Sequence, residues 1–107
     1  MELNQYSVIL VNLDPTIGSE IKKTRPCVII SPDEMNKFLR TVVVAPMTSN
    51  LKAYPTRVPV TTNGKEGMLV IDQIRTIDKQ RILKVFDSLS TSEILKCKDV
   101  IKETFVD

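Results

Sequence analysis

The chain has 107 residues, with 15 Lys and Arg against 13 Asp and Glu, which gives a formal net charge of +2. A charge this close to zero provides no global field for an anionic partner, so any such ligand must be attracted by a local patch. Histidine is absent, which excludes the commonest general base near neutral pH and the commonest transition-metal ligand.

The length fits a single domain over residues 1–107. Cys27 and Cys97 lie far apart without a C-x-x-C pattern, and the N-terminus does not resemble a signal peptide. A reduced, cytoplasmic protein is therefore expected. No apolar run approaches the roughly 18 residues that a membrane-spanning helix needs, so no membrane partner is predicted.

The first half of the chain predicts three strands. Residues 6–13, 25–31 and 41–48 are rich in β-branched side chains, which favour strands. Asp14-Pro15 ends the first strand, and a polar loop with Gly18 follows it up to residue 24. Between the second and third strands, Ser31-Pro32-Asp33-Glu34 is typical of a helix start with a Ser cap, and this helix is predicted to end near Leu39.

The second half predicts a hairpin, a last strand and a terminal helix. Residues 56–62 and 67–72 flank the turn signal Asn63-Gly64, and Pro59 indicates an edge strand or a bulge. Residues 73–79 are expected to be irregular, and residues 82–87 form a last strand. Ser90 and Glu93 make a capping box, after which Ile94, Cys97 and Ile101 share one helical face.

About six short strands with a short inserted helix and a C-terminal helix predict a mainly β, α+β fold. We expect a strongly bent sheet or a partly open barrel with the helices packed on it. Both cysteines are interpreted as small core residues.

Several kinds of site are excluded by pattern. The acidic residues show no calcium-loop spacing, neither cysteine has an obvious base beside it, and the three glycines are isolated. No metal and no cofactor are therefore expected. What remains is a set of polar residues at predicted strand ends: Ser19, Glu20, Arg25, Thr48, Ser49, Asn50, Asp72, Gln73 and Arg75. For each of these residues taken alone, a structural role is the simpler interpretation.

The order of four segments favours a functional interpretation of these residues. These are Asp14-Pro15-Thr16-x-Gly18-Ser19-Glu20, Thr24-Arg25-Pro26-x-Val28-Ile29-Ile30-Ser31, Val44-Ala45-Pro46-Met47-Thr48 and Asp72-Gln73-Ile74-Arg75-Thr76-Ile77. Together they resemble the MazF/PemK family of toxin endoribonucleases over nearly the whole chain. The resemblance implies an SH3-like barrel of the PemK/CcdB toxin type and a homodimer. It also implies metal-independent cleavage of single-stranded RNA.

In that family the RNA 2′-hydroxyl attacks the adjacent phosphate, which gives a 2′,3′-cyclic phosphate and a 5′-hydroxyl. The resemblance places the catalytic arginine at Arg25 and the catalytic threonine at Thr48. It also implies a cognate antitoxin whose acidic, initially disordered tail blocks the RNA groove. Some members carry His at the position of Ser19 and Arg at the position of Val70, so a mechanism that uses those groups cannot operate here.

The chemistry suits these residues, because a guanidinium donates two parallel hydrogen bonds to phosphate oxygens and a hydroxyl adds a third. The proton acceptor stays open between Glu20, Asp72 and neither. The expected RNA contacts are Ile17, Ser19, Glu20, Asn50, Lys52, Tyr54, Gln73 and Arg75. Tyr54 is the expected stacking residue, while Phe38, Phe86 and Phe105 are expected in the core.

Two alternatives have other mechanisms. One is a gyrase-poisoning toxin of the same fold, which acts by protein binding through a C-terminal Trp, whereas this chain has no Trp. The other is an RNA-binding barrel without catalysis. RNA cleavage with and without EDTA separates the three.

Overall fold

The part of the chain described by the computed structural model, residues 2–21 and 23–106, forms one bent sheet of seven antiparallel strands with two α-helices. The strands are β1 (Ser7–Asn12), β2 (Thr24–Ile29), β3 (Thr41–Thr48), β4 (Arg57–Thr62), β5 (Lys65–Val70), β6 (Arg75–Asp78) and β7 (Ile82–Ser88). The helices are α1 (Asp33–Phe38) and α2 (Thr91–Phe105), with 3-10 helices at Ile71–Gln73 and Lys79–Arg81. The sheet order is β4-β5-β3-β2-β1-β7, and β6 pairs with β3. The predicted α+β fold is thus confirmed.

Strand β3 joins the two halves of the sheet. Along one edge it pairs with β2, and along its other edge it pairs first with β6 and then, at Met47 and Thr48, with β5. Its side chains alternate between two apolar clusters, with Val44 in one and Ala45 in the other. Because both of its faces are covered, its sequence is a nearly continuous apolar run.

The terminal helix closes one of these clusters. Cys97 and Val100 on α2 pack with Val58 of β4 and Leu69 of β5. Cys27 lies in the other cluster, so both cysteines are buried core residues, as predicted. Burial raises the pKa of Cys27 to about 12, against a smaller lowering by Arg75, and burial raises the pKa of Cys97 to about 11. Both thiols therefore stay protonated at neutral pH.

Three local predictions need correction. Residues 75–78, expected to be irregular, form β6, because they pair with β3 from Thr41 to Val44. Strand β5 begins at Lys65 and ends at Val70, earlier than predicted at both ends, and Ile71–Gln73 is a 3-10 helix. Ser31 does not cap α1: its hydroxyl donates to Asn36 Oδ1 at 2.5 Å and accepts from the Val43 N–H.

The aromatic core was predicted only in part. Phe86 packs against the cluster that contains Val28, but Phe38 is 73% exposed and Phe105 is 57% exposed. Both lie at the last residue of a helix. Pro59 fits its edge-strand prediction, because β4 is the last strand of the sheet order.

Glu93 connects the start of α2 to the sheet edge. Its carboxylate accepts hydrogen bonds from the Ser90 N–H at 2.9 Å and from the Thr61 N–H of β4 at 2.8 Å. Ser90 Oγ accepts in turn from the Glu93 N–H, which completes the predicted capping box. Partial burial alone would raise the pKa of Glu93, but these hydrogen bonds outweigh it and hold the pKa below its usual value.

We therefore expect Glu93→Ala to lower the free energy of unfolding by about 1–2 kcal/mol at pH 7, because two backbone donors lose their acceptor. Because the pKa of Glu93 is lowered in the folded state, its ionised carboxylate stabilises the fold at pH values above the ordinary carboxyl pKa. This stabilisation is lost as the pH falls through the lowered pKa. Urea unfolding at pH 7 and at pH 3 measures both effects. Glu103→Ala, which removes a carboxylate from the same helix, is the control, and an equal loss from both variants would contradict the assignment.

Candidate active site

The two predicted catalytic residues lie on neighbouring strands. Strands β2 and β3 are antiparallel, with Cys27 opposite Pro46 and Val28 opposite Ala45. Continued by two residues toward the end of β3, this register places Arg25 opposite Thr48. Residues opposite each other in an antiparallel pair point to the same face of the sheet. Both side chains are therefore directed to one side of the sheet at its rim.

Arg25 and Thr48 also line the same cleft, whose volume is about 230 Å³. The other residues that line it are Pro26, Met47, Ser49, Thr62, Lys65, Glu66 and Gly67. Arg25 is half-buried near the start of β2, where it lines the cleft. The placement allows one anionic group to contact the cation and the hydroxyl together.

The Thr48 hydroxyl is oriented by its own turn. Its oxygen accepts a hydrogen bond from the Asn50 N–H at 3.3 Å, which directs the hydroxyl proton toward other acceptors. Gly67 of β5 lies against the Thr48 backbone, because a Cβ at this position would stand 3.1 Å from the Thr48 carbonyl oxygen. The missing side chain thus permits a close approach of β5 that fixes the end of β3.

A second cavity, of about 410 Å³, lies beside the cleft on the same face of β3. Pro46 lines it and the next residue of β3, Met47, lines the cleft, so the two cavities are neighbours along the strand. It is also lined by five of the eight predicted RNA contacts, namely Ile17, Ser19, Glu20, Gln73 and Arg75. The sequence segments that carry the prediction thus converge at one end of the sheet.

Hydrogen bonds hold the walls of this second cavity. Glu20 accepts from the Ile17 N–H at 2.5 Å within the β1–β2 loop, and Gln73 Oε1 accepts from the Ile21 N–H at 2.9 Å. Arg75 donates to the Leu13 carbonyl at 3.3 Å. Ile17 is 83% exposed at the loop surface.

The three remaining predicted contacts follow β3. Asn50 accepts from the Lys52 N–H at 3.1 Å, and Tyr54 carries two cations over its ring. Lys52 Nζ is 5.2 Å and the Arg57 guanidinium carbon is 4.8 Å from the ring centroid. None of these three residues lines either cavity. They form a cationic and aromatic cluster that suits a nucleic-acid backbone as well as a base.

Sequence reasoning missed the contribution of β5 to the cleft. Lys65, Glu66 and Gly67 open the return strand of the hairpin and line the cleft beside Thr48. The turn signal Asn63-Gly64 placed them correctly in a hairpin, but the pairing of that hairpin with β3 is a long-range contact. Asp72, one of the two carboxylates considered as a base, lines the second cavity and accepts from the Thr56 hydroxyl at 2.8 Å.

Within residues 2–21 and 23–106, no three Cys, Asp or Glu side chains come together as a metal-binding group. In the same residues, no helix is long and apolar enough to cross a bilayer.

Comparison with known proteins gives a consistent result. Residues 4–105 match the family model described as PemK-like, MazF-like toxin of type II toxin-antitoxin system. The protein named Endoribonuclease MazF from Staphylococcus epidermidis is 35% identical over 105 residues, which cover 92% of this chain and 88% of the relative.

Solved structures share the fold. The crystal structure of MazF from Deinococcus radiodurans has a TM-score of 0.86 at 21% identity and covers 97% of this chain and 96% of its own. A mycobacterial endoribonuclease in complex with its cognate antitoxin has a TM-score of 0.79 at 18% identity. The match covers 94% of this chain and 91% of the mycobacterial chain.

Proposed function

Because this chain belongs to the PemK-like, MazF-like toxins of type II toxin-antitoxin systems and is an endoribonuclease of that family, we propose that it cleaves single-stranded RNA in the cleft of Arg25 and Thr48. The observation that carries the proposal is that both side chains line one cleft from neighbouring strands. The scissile phosphate binds between them. The 2′-hydroxyl of the preceding ribose attacks in line, and the 5′-oxygen leaves.

Each residue has one physical task in this reaction. The Arg25 guanidinium donates two parallel hydrogen bonds to the non-bridging phosphate oxygens and stays charged throughout. The Thr48 hydroxyl donates a third hydrogen bond, since its oxygen already accepts from the Asn50 N–H. Negative charge grows on these oxygens in the pentacoordinate transition state, so donors held in place stabilise it more than the ground state.

The products of such an attack are a 2′,3′-cyclic phosphate and a 5′-hydroxyl, and no metal takes part in the proposed steps. The charge of the transition state is balanced by Arg25 together with Lys65, which lines the same cleft. Lys65 acts at longer range as a flexible point charge, whereas Arg25 fixes geometry.

The second cavity suits the nucleotide next to the cleavage point. Its polar groups include the Glu20 carboxylate and the Gln73 amide, which can pair with base edges, and Ile17 offers an apolar surface. Ser19 and Arg75 complete the lining with a hydroxyl and a cation. Beyond Thr48, the loop that contains Asn50, Lys52 and Tyr54 offers further contacts to the RNA.

The cations that line the two cavities suit an acidic peptide. Arg25 and Lys65 in the cleft and Arg75 in the second cavity are the charges that an antitoxin tail would neutralise. We propose that a cognate antitoxin inhibits this chain by covering both cavities, as an acidic segment that orders on binding. The full proposal also includes a homodimer in the cytoplasm.

The test uses purified protein and an RNA of mixed sequence labelled at its 5′ end, incubated with and without EDTA. We expect equal cleavage in both, at a restricted set of sites, with fragments that end in a cyclic phosphate. The cyclic ends are recognised because they resist phosphatase until acid opens the ring. Loss of cleavage in EDTA, 3′-hydroxyl ends, or RNA that is retained but uncut would each contradict the proposal.

A further inference from the structure

The cleft of Arg25 and Thr48 contains an acidic group on strand β5. Of the described residues that line the cleft, Glu66 carries the only carboxylate. In-line attack needs an acceptor for the 2′-hydroxyl proton, and the chain has no histidine to supply one. A carboxylate in this position is therefore of direct chemical interest.

The sheet register directs Glu66 to the same face as the other two groups. Thr48 of β3 pairs with Met68 of β5, and Glu66 is two residues before Met68, so Thr48, Met68 and Glu66 share a face. Glu66 is thus a diagonal neighbour of Thr48, at a Cβ separation of about 7–8 Å or less. Arg25 lies on the opposite side of Thr48, across the β2–β3 pair.

This spacing suits a phosphate bound between the three side chains. Arg25 and Thr48 would contact the non-bridging oxygens, and in-line attack requires the ribose 2′-oxygen to face the phosphorus opposite the leaving 5′-oxygen. A carboxylate on a flexible side chain, one diagonal step from Thr48, can reach that 2′-oxygen at hydrogen-bond distance.

The other candidate carboxylates are engaged elsewhere. Glu20 accepts from the Ile17 N–H and shapes the β1–β2 loop, while Asp72 accepts from the Thr56 hydroxyl. Both line the second cavity, and neither lines the cleft. Among the residues that line the two cavities, Glu66 is therefore the carboxylate that lies beside Arg25 and Thr48.

We propose that the Glu66 carboxylate is the general base of the cleavage reaction, an inference that rests on the function proposed above. Glu66 takes the 2′-hydroxyl proton as the bond between the 2′-oxygen and phosphorus forms. The bond between phosphorus and the 5′-oxygen breaks with its electron pair on that oxygen, which takes a proton from a solvent water molecule. The hydroxide that remains removes the proton from Glu66, which restores both the carboxylate and the water molecule.

The first experiment measures single-turnover cleavage at saturating RNA by the full chain and by Glu66→Gln, which has nearly the same shape and lacks the basic oxygen. The expected loss in rate is about 10²–10⁴-fold with little change in RNA affinity. Glu66→Asp, whose carboxylate is one methylene shorter, should recover part of the rate. Glu103→Gln, on α2, is the matched control and should cleave as the unmodified chain does.

A second experiment shows whether Glu66 acts as a general base, as a general acid or only as a structural group. An RNA with sulfur in place of the leaving 5′-oxygen needs no protonation of that atom, so it relieves the loss of a proton donor but not of an acceptor. The Glu66→Gln defect is expected to persist on this substrate. Thermal unfolding of each variant shows whether the fold is intact.

Three results would overturn the assignment. They are cleavage by Glu66→Gln within about threefold of the unmodified chain, a defect that disappears at saturating RNA, and a defect that the sulfur substrate relieves. These results differ from failure of the proposed function, in which the unmodified chain does not cleave RNA or Arg25→Ala cleaves it at full rate.

Discussion

Arg25→Ala is expected to lower the single-turnover rate of RNA cleavage by about 10²–10³-fold or more, while the protein stays folded. The side chain is half-buried at the rim of the sheet and lines the cleft with Thr48. Its loss removes two donors and the fixed positive charge that faces the phosphate. Because Arg25 lies near the start of β2 and outside both apolar clusters, the core is preserved.

Two further variants identify what Arg25 contributes. Arg25→Lys keeps the charge but loses the paired donors, so its rate should fall between those of the alanine variant and the unmodified chain. Arg40→Ala is the control for a lost surface arginine. It precedes β3 at the end opposite Thr48, roughly 25 Å away along the strand. Full activity in Arg25→Ala, or an equal loss in Arg40→Ala, would contradict the assignment.

The fold was largely predictable because its local signals agree. The β-branched run 41–48 became β3 with the predicted bounds, Asn63-Gly64 became a hairpin turn, and Ser90 with Glu93 formed the capping box. The predictions that were wrong concern residues whose structure depends on long-range strand pairing. Strand β6 has one buried side chain, Ile77, among four residues, so its pattern is too weak to predict a strand. It is a strand because β3 offers a free edge there.

The geometry of the candidate site was predictable where the sequence motifs carry it. Arg25 and Thr48, 23 positions apart in sequence, do line one cleft, and five predicted RNA contacts line the neighbouring cavity. No local pattern shows that the start of β5 would complete the cleft. That depends on the pairing of Met47 and Thr48 with Leu69 and Met68, which no local propensity encodes. Glu66 was therefore overlooked.

Thr48→Val is expected to lower the cleavage rate by about 10²-fold, because it keeps the shape of the side chain and removes only the hydroxyl donor. Thr48→Ser retains the hydroxyl and should keep most of the activity. Thr76→Val is the matched control, since Thr76 is exposed on β6, which also pairs with β3. Equal rates for Thr48→Val and the unmodified chain would remove the hydroxyl from the mechanism.

The double variant Arg25→Ala with Thr48→Val tests whether both side chains act on one phosphate. Groups that stabilise the same transition state lose much of their effect once a partner is gone, so their losses do not multiply. We therefore expect Thr48→Val to slow the Arg25→Ala variant by a clearly smaller factor than it slows the unmodified chain. Full multiplication of the two losses would mean that the residues act independently, and one shared cleft would then not explain the catalysis.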